Sequence, residues 1–351
     1  MRHHRTANRQ PVGFTLVELL VVIGIIGFLI TISGVIIGNM LGTSKEAATK
    51  ATIAKVHELI MERSRGFDVV QDSNAQVYKN VERFKRIPDA KSTGFVDYRV
   101  GFRKATLRQS MPTRLLDLNA LTMISGGSSQ TVVPPATQLY TDFNTGWDTT
   151  KHQPETLSSE LMYFALTNGI AFFQATNAAD QFTSSEVMDT DGDGRMEFVD
   201  AWGKPLRFYF NPTRLFRPGG NGASLDQTLI TTMFPSLSKY NLNSDPDDPN
   251  GKFLQEFIRN YLVRVNPPNN IPSPPPAAQV NAALVEFENT FHTPSTYQVP
   301  LVVSAGPDGE LGLYEAPDAA NFGHLAQPIT DSTGTINYDV LYDNITNYQG
   351  I

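Results

Sequence analysis

The segment from Asp189 to Asp200, Asp-Thr-Asp-Gly-Asp-Gly-Arg-Met-Glu-Phe-Val-Asp, sets carboxylates at alternating positions and then continues with Glu197 and Asp200. This is the spacing of a calcium loop: Asp189, Asp191 and Asp193 take positions 1, 3 and 5, and Gly194 takes position 6, where the chain must turn sharply. Arg195 would offer its backbone carbonyl, Glu197 would act through water, and Asp200 would close the loop where a bidentate Glu is usual. Like charges about 4 Å apart repel by about 1–4 kcal/mol per pair at dielectrics of 80 to 20. Converging carboxylates therefore favour a cation, and calcium is the expected one. The alternative is a solvated Asp-Gly turn. No helix pair flanks the loop, since Ala-Trp-Gly-Lys-Pro follows directly, so a helix-loop-helix sensor is not expected.

The other chemically conspicuous residue is Glu18. It sits near the start of an apolar run, and no residue from Leu19 to Ser44 is charged. A charged residue at the centre of a membrane helix costs about 2.5–3.5 kcal/mol, less near its end. The run exceeds the roughly 20 residues that cross a hydrocarbon core and is too long for a signal-peptide core. The expectation is a single-pass span. Arg2, Arg5 and Arg9 would hold the N-terminus in the cytoplasm, with the C-terminal bulk outside. If the chain were cut after Gly13, Phe14 would carry a free amine one helical turn from Glu18. An axially shifted neighbour could then pair its amine with that carboxylate.

Gly13-Phe14-Thr15-Leu16-Val17-Glu18 resembles the prepilin signature of type IV pilins and type II secretion pseudopilins: a basic leader ending in Gly, Phe first in the mature chain and Glu fifth. The resemblance implies cleavage between Gly13 and Phe14 by prepilin peptidase, and methylation of the Phe14 amine. It also implies assembly with other pseudopilin subunits and with copies of itself on an inner-membrane platform. Val35 stands where many members carry a helix-kinking Pro; Gly34 and Gly38 would loosen the helix there. A second stretch, Asp200 to Tyr209 with Trp202, Gly203 and Pro205, is similar to a turn-and-strand segment of major pseudopilins. A third, Ser304 to Gly312, resembles their S-x-G-x-D-G-x-x-G calcium loop, which implies Asp308 as a ligand, joined by Glu310 or Asp318. A glycine-rich turn is the alternative there. The implied function is a structural subunit of a secretion pseudopilus. The alternatives are an adhesion or DNA-uptake pilin, or a membrane-anchored periplasmic protein that never polymerises.

The elements that must position these residues read as an α+β fold, with a long N-terminal helix packed on a small antiparallel sheet. Ala48, Ala51, Ile53, Val56, Leu59 and Ile60 form a stripe that carries the helix beyond the apolar run, with Gly66 as its stop. Three parts follow: a leader at 1–13, a helix at 14–66 whose first half crosses the membrane, and a head at 67–351. Asp68 to Leu121 is less regular. A short basic helix is expected before Pro88, and Val96, Tyr98, Val100 and Phe102 alternate as in a strand, with loop and helix as the alternative. Glu155–Gly169 reads as a helix, and Leu206–Phe210 and Val299–Val303 as buried strands. Large insertions are expected near 125–150 and 211–298, the latter containing Asp245–Gly251 and the Pro-rich Asn266–Pro276.

Composition narrows the classes further. The 351 residues are 40 % hydrophobic and 18 % charged, with a formal net charge of −7 and no cysteine. Disulfides, thiolate metal sites and cysteine nucleophiles are excluded, and an acidic chain lacks the basic footprint of a nucleic-acid binder. The six histidines are scattered with no His-Glu-x-x-His, and neither Gly203-Lys204 nor Gly251-Lys252 precedes Ser or Thr. Neither a zinc-protease motif nor a phosphate loop is present, and an enzyme is not expected.

Overall fold

The computed structural model describes residues 15–73, 97–125, 128–133, 136–168, 178–216, 252–266, 271–272, 275–291 and 300–348. The expected leader, Gly13 and Phe14, the basic helix before Pro88 and the segment Asp245–Gly251 lie outside these residues. The elements are α1 (Leu16–Ser73), α2 (Asp97–Ser110), β1 (Leu121–Ser125), β2 (Ser128–Val133), α3 (Thr137–Asn144), α4 (Leu157–Asn168), β3 (Val187–Met188), β4 (Glu197–Phe198), β5 (Arg207–Tyr209), α5 (Thr213–Phe216), α6 (Lys252–Val265), α7 (Ala277–Thr290), β6 (Leu301–Ser304), α8 (Tyr338–Tyr342) and β7 (Ile345–Thr346). Helices and small antiparallel sheets make the fold α+β. Two compact units divide the chain, Met1–Ala47 and Ala48–Ile351, and α1 contributes to both.

In the first unit, α1 opens on a capping box. Thr15 N–H donates to Glu18 Oε2 at 2.8 Å, and Glu18 N–H donates to Thr15 Oγ1 at 3.2 Å. Two N–H groups that a helix start leaves without partners are thereby satisfied reciprocally. The Thr15 N–H and hydroxyl hold the Glu18 carboxyl below its ordinary range. Glu18 thus has a local role that the sequence reading overlooked, although Thr15-x-x-Glu18 is a recognisable capping pattern. Leu16, Leu19, Leu20, Ile23, Phe28 and Ile30 are all exposed. The expected single-pass membrane anchoring needs correction: among the described residues, no helix is long and apolar enough to cross a membrane.

The second unit is organised by the antiparallel sheet β5–β6–β7, with Phe208 opposite Val302 and Ser304 opposite Ile345. Side chains alternate across a strand, and here both faces are covered. Phe208, Val302 and Ile345 pack with Ile53, Val56, Leu59, Ile60 and Phe67 of α1 and with Met162 and Leu166 of α4. Tyr209, Leu301 and Val303 pack instead with Leu311, Leu313, Ala316 and Leu341 of the C-terminal segment. Ile53, Val56, Leu59 and Ile60 of the expected α1 stripe are therefore a core face, whereas its first two members, Ala48 and Ala51, are exposed. Its helix does not stop at Gly66 but runs to Ser73. Arg63 fastens it, donating to the carbonyls of Ser110 at 3.0 Å and Ala165 at 2.8 Å.

Two further expectations need correction. Tyr98, Val100 and Phe102 belong to a helix, the alternative reading, and Val96 lies outside the described residues; from Val100 to Met111 all but Arg103 and Arg108 are buried, so the segment is covered on nearly every side. Gly101 lets α6 approach α2 there: a Cβ at that position would meet the Phe253 ring at 2.6 Å. The 125–150 region is not a plain loop insertion, since it contains β2 and α3. Leu139 and Phe143 of α3 pack on Leu157, Leu161 and Ala165 of α4, which fixes where the chain emerges at Trp147. Within 211–298, α6 and α7 share a cluster of rings, Phe253, Phe257, Phe287 and Phe291.

Candidate metal centre

β3 and β4 form a short hairpin, with Val187 opposite Phe198 and Met188 opposite Glu197. The acidic segment is the loop of that hairpin. Gly194 adopts φ +92°, and a Cβ there would meet the Gly146 carbonyl oxygen at 3.0 Å, so a larger residue is excluded on both counts. Asp189 Oδ1 accepts from the Gly192 N–H at 2.7 Å and its Oδ2 from the Gly194 N–H at 3.0 Å. Asp193 Oδ1 accepts from the Arg195 N–H at 2.7 Å.

Asp189, Asp191, Asp193 and Glu197 each offer a carboxylate oxygen within 4.8 Å of the others, a group that could hold a metal ion. Glu197 is fully buried, on β4; its Oε2 accepts from the Thr190 N–H at 2.7 Å, while Oε1 has no hydrogen-bond partner. Burial, reinforced by the Glu160 and Asp191 charges, pushes its carboxyl up to about 8. An ion at this position would relieve that penalty by favouring the charged form.

The loop is held from outside by the turn after α3. Asp148 N–H donates to the Asp193 carbonyl at 2.8 Å, and Trp147 Nε1–H donates to Asp193 Oδ2 at 2.5 Å. Asp191 Oδ2 accepts from the Gln153 N–H at 2.9 Å and from Thr156 Oγ1 at 3.0 Å. His152 Nδ1 lies 3.2 Å from Asp193 Oδ2 and 3.4 Å from Glu160 Oε1. Burial would lower the His152 pKa, but the Glu160 and Asp193 carboxylates outweigh it and raise it. His152, Glu160, Asp191 and Asp193 form a second group whose ligand atoms lie within 4.8 Å of one another. Nothing in local spacing pointed to His152 or Glu160, because tertiary packing alone brings them to the loop.

The remaining expected ligands are placed elsewhere. Asp200 belongs to neither group. Its Oδ1 accepts from the N–H groups of Trp202 at 2.9 Å and Lys204 at 3.0 Å, and its Oδ2 from Ser304 Oγ at 2.7 Å. It fastens the Trp202-Gly203 turn to β6. Arg195 turns its guanidinium to the Thr145 carbonyl and over the Phe143 ring. Asp308 Oδ1 accepts from the Glu310 N–H at 2.8 Å, and Asp318 accepts from the Asn321 N–H and side-chain amide. Among the described residues, Asp308, Glu310 and Asp318 form no three-ligand group. The carboxyl beside Asp308 is instead that of Asp343, raised by its own burial and then by the Asp308 charge.

Comparison with family models, with curated proteins and with solved structures finds no match in any of the three. Arguments about function therefore rest on the chain's own residues.

Proposed function

We propose that the chain is a prepilin-like structural subunit that assembles with copies of itself or sister subunits through the apolar start of α1, in the manner of a type II secretion pseudopilus. One observation carries the reading: large apolar side chains are exposed along that helix, from Leu16 at 78 % to Ile30 at 66 %, directly behind the Gly13-Phe14 cleavage pattern. A helix apolar on every side is stable only when other apolar surface covers it, and a bundle of identical helices supplies that surface. Glu18 would exchange its capping contact with Thr15 for a neighbour's Phe14 amine on assembly. The hairpin loop would bind calcium through Asp189, Asp191, Asp193 and Glu197 and stabilise the unit from Ala48 onward.

The native chain has no cysteine, so single-cysteine variants report contacts without background. Ile23→Cys and Ile30→Cys should yield cross-linked dimers between copies on mild oxidation. Mass spectrometry should place the mature N-terminus at Phe14. A chain that retains Met1 and stays monomeric under cross-linking would remove the basis for this reading.

A further inference from the structure

We propose that His152 and Glu160 complete, with Asp191 and Asp193, a second metal position that takes a borderline divalent transition metal such as zinc, sharing its two aspartates with the calcium loop. The inference rests on the reading of that loop as a cation site, and it names a different ligand class for the loop's inner side.

Glu160 is the decisive group. It lies in the first turn of α4, is 1 % exposed, and its carboxylate oxygens have no well-formed hydrogen bond, with only the His152 ring and the Thr156 hydroxyl as weak neighbouring donors. Buried carboxylates are ordinarily satisfied by donors, and one that is not requires a cation or a proton. Glu160 Oε1 faces His152 Nδ1 at 3.4 Å, which in turn faces Asp193 Oδ2 at 3.2 Å and Asp191 Oδ2 at 4.0 Å. A tetrahedral ion with bonds of about 2.0–2.1 Å sets its ligand atoms roughly 3.3 Å apart. Two of the three separations from Nδ1 lie at that value, and a small rotation of Asp191 brings in the third.

The donor set then decides the metal. Calcium takes oxygen ligands, whereas imidazole suits zinc and its neighbours. The Asp189–Glu197 side offers only oxygen; the His152–Glu160 side offers nitrogen as well. The shared carboxylates are already oriented by outer donors. Trp147 Nε1–H binds Asp193 Oδ2, and Thr156 Oγ1 binds Asp191 Oδ2 at 3.0 Å. The Trp147 ring also packs edge-on against His152, with centroids 4.9 Å apart. Such outer contacts fix ligand rotamers at metal sites.

The test measures zinc and calcium affinities of the full-length chain separately, each by competition with a chromogenic chelator. His152→Gln and Glu160→Gln should each weaken zinc at least tenfold and leave calcium within twofold; Asp189→Asn should do the reverse. Zinc affinity unchanged in His152→Gln overturns the inference. Calcium binding without zinc binding overturns it too, and leaves the calcium loop intact. Absence of both removes the loop reading as well. Should the variants fail to fold, cobalt(II) in the unaltered chain decides. Intense four-coordinate visible bands that zinc displaces and calcium does not support the inference, and weak six-coordinate bands overturn it.

Discussion

Asp200 separates two readings of the same acidic segment. Counted along the chain it closes a calcium loop; in the fold its carboxylate accepts three hydrogen bonds from Trp202, Lys204 and Ser304. Asp200→Ala should therefore act on stability and leave cation binding alone. Hydrogen bonds to a charged group contribute about 1.5–3 kcal/mol each. The Trp202 and Lys204 N–H groups lie in a turn where water replaces part of the loss, whereas Ser304, fully buried on β6, has no such recourse. A net cost of about 3–5 kcal/mol follows, or a fall in Tm of roughly 10 °C for a unit of this size. Thermal unfolding by circular dichroism gives the first quantity, and calcium titration of the folded variant gives the second, which should stay within twofold of the parent. A variant that melts like the parent but binds calcium at least tenfold more weakly would refute the reasoning and return Asp200 to the ligand set.

Asp117 supplies a pH dependence. Burial would raise its carboxyl, but the Arg114 and Arg108 guanidiniums and the Thr113 N–H outweigh this and hold it below the ordinary 3.8. A depressed acid stabilises the fold at pH above its unfolded value and loses that contribution as pH falls through the folded one. Chemical denaturation below about pH 4 should thus show a steeper stability loss in the parent than in Asp117→Asn, which at neutral pH should cost about 3–5 kcal/mol by leaving buried arginines unpaired.

What could be read from the sequence, and what could not, follows from how local each feature is. The carboxylates at 189, 191 and 193 come together because a hairpin loop turns on Gly192 and Gly194, and this turn is written in adjacent residues. The count along the chain fails at Asp200 because Glu197 and Phe198 pair into β4, so the chain has left the loop before it reaches that residue. The α1 stripe from Ile53 to Ile60 was legible because helical burial repeats at fixed intervals. The helix at Asp97–Ser110 was hidden because it is buried on nearly every side, which leaves no polar face to mark a helical period, and because Tyr98, Val100 and Phe102 alternate within it. In the sequence Glu18 stands out as a carboxylate that a neighbour's Phe14 amine would pair, and this draws attention away from Thr15, which lies three residues away in the simplest of helix-start patterns.

His152 and Glu160 could not be found by spacing, because a clasp between distant elements creates their position. Ser159 Oγ donates to the Phe198 carbonyl at 3.1 Å and accepts from the Phe198 N–H at 2.9 Å. That places α4 alongside β4, and Glu160, the next residue, against the inner side of the loop. Phe198 is itself part of the core that joins α1 to the β5–β6–β7 sheet. Two of the candidate ligands, Glu160 on α4 and Glu197 on β4, therefore stand on elements that pack into the core of the second unit. An ion that binds only the folded arrangement stabilises it by RT ln(1 + [L]/Kd), roughly 2.7 kcal/mol at a hundredfold excess over Kd. Because Ser159, Glu160, Glu197 and Phe198 connect without a break from ligand to core, that free energy acts on the α1–sheet packing and not on the hairpin alone.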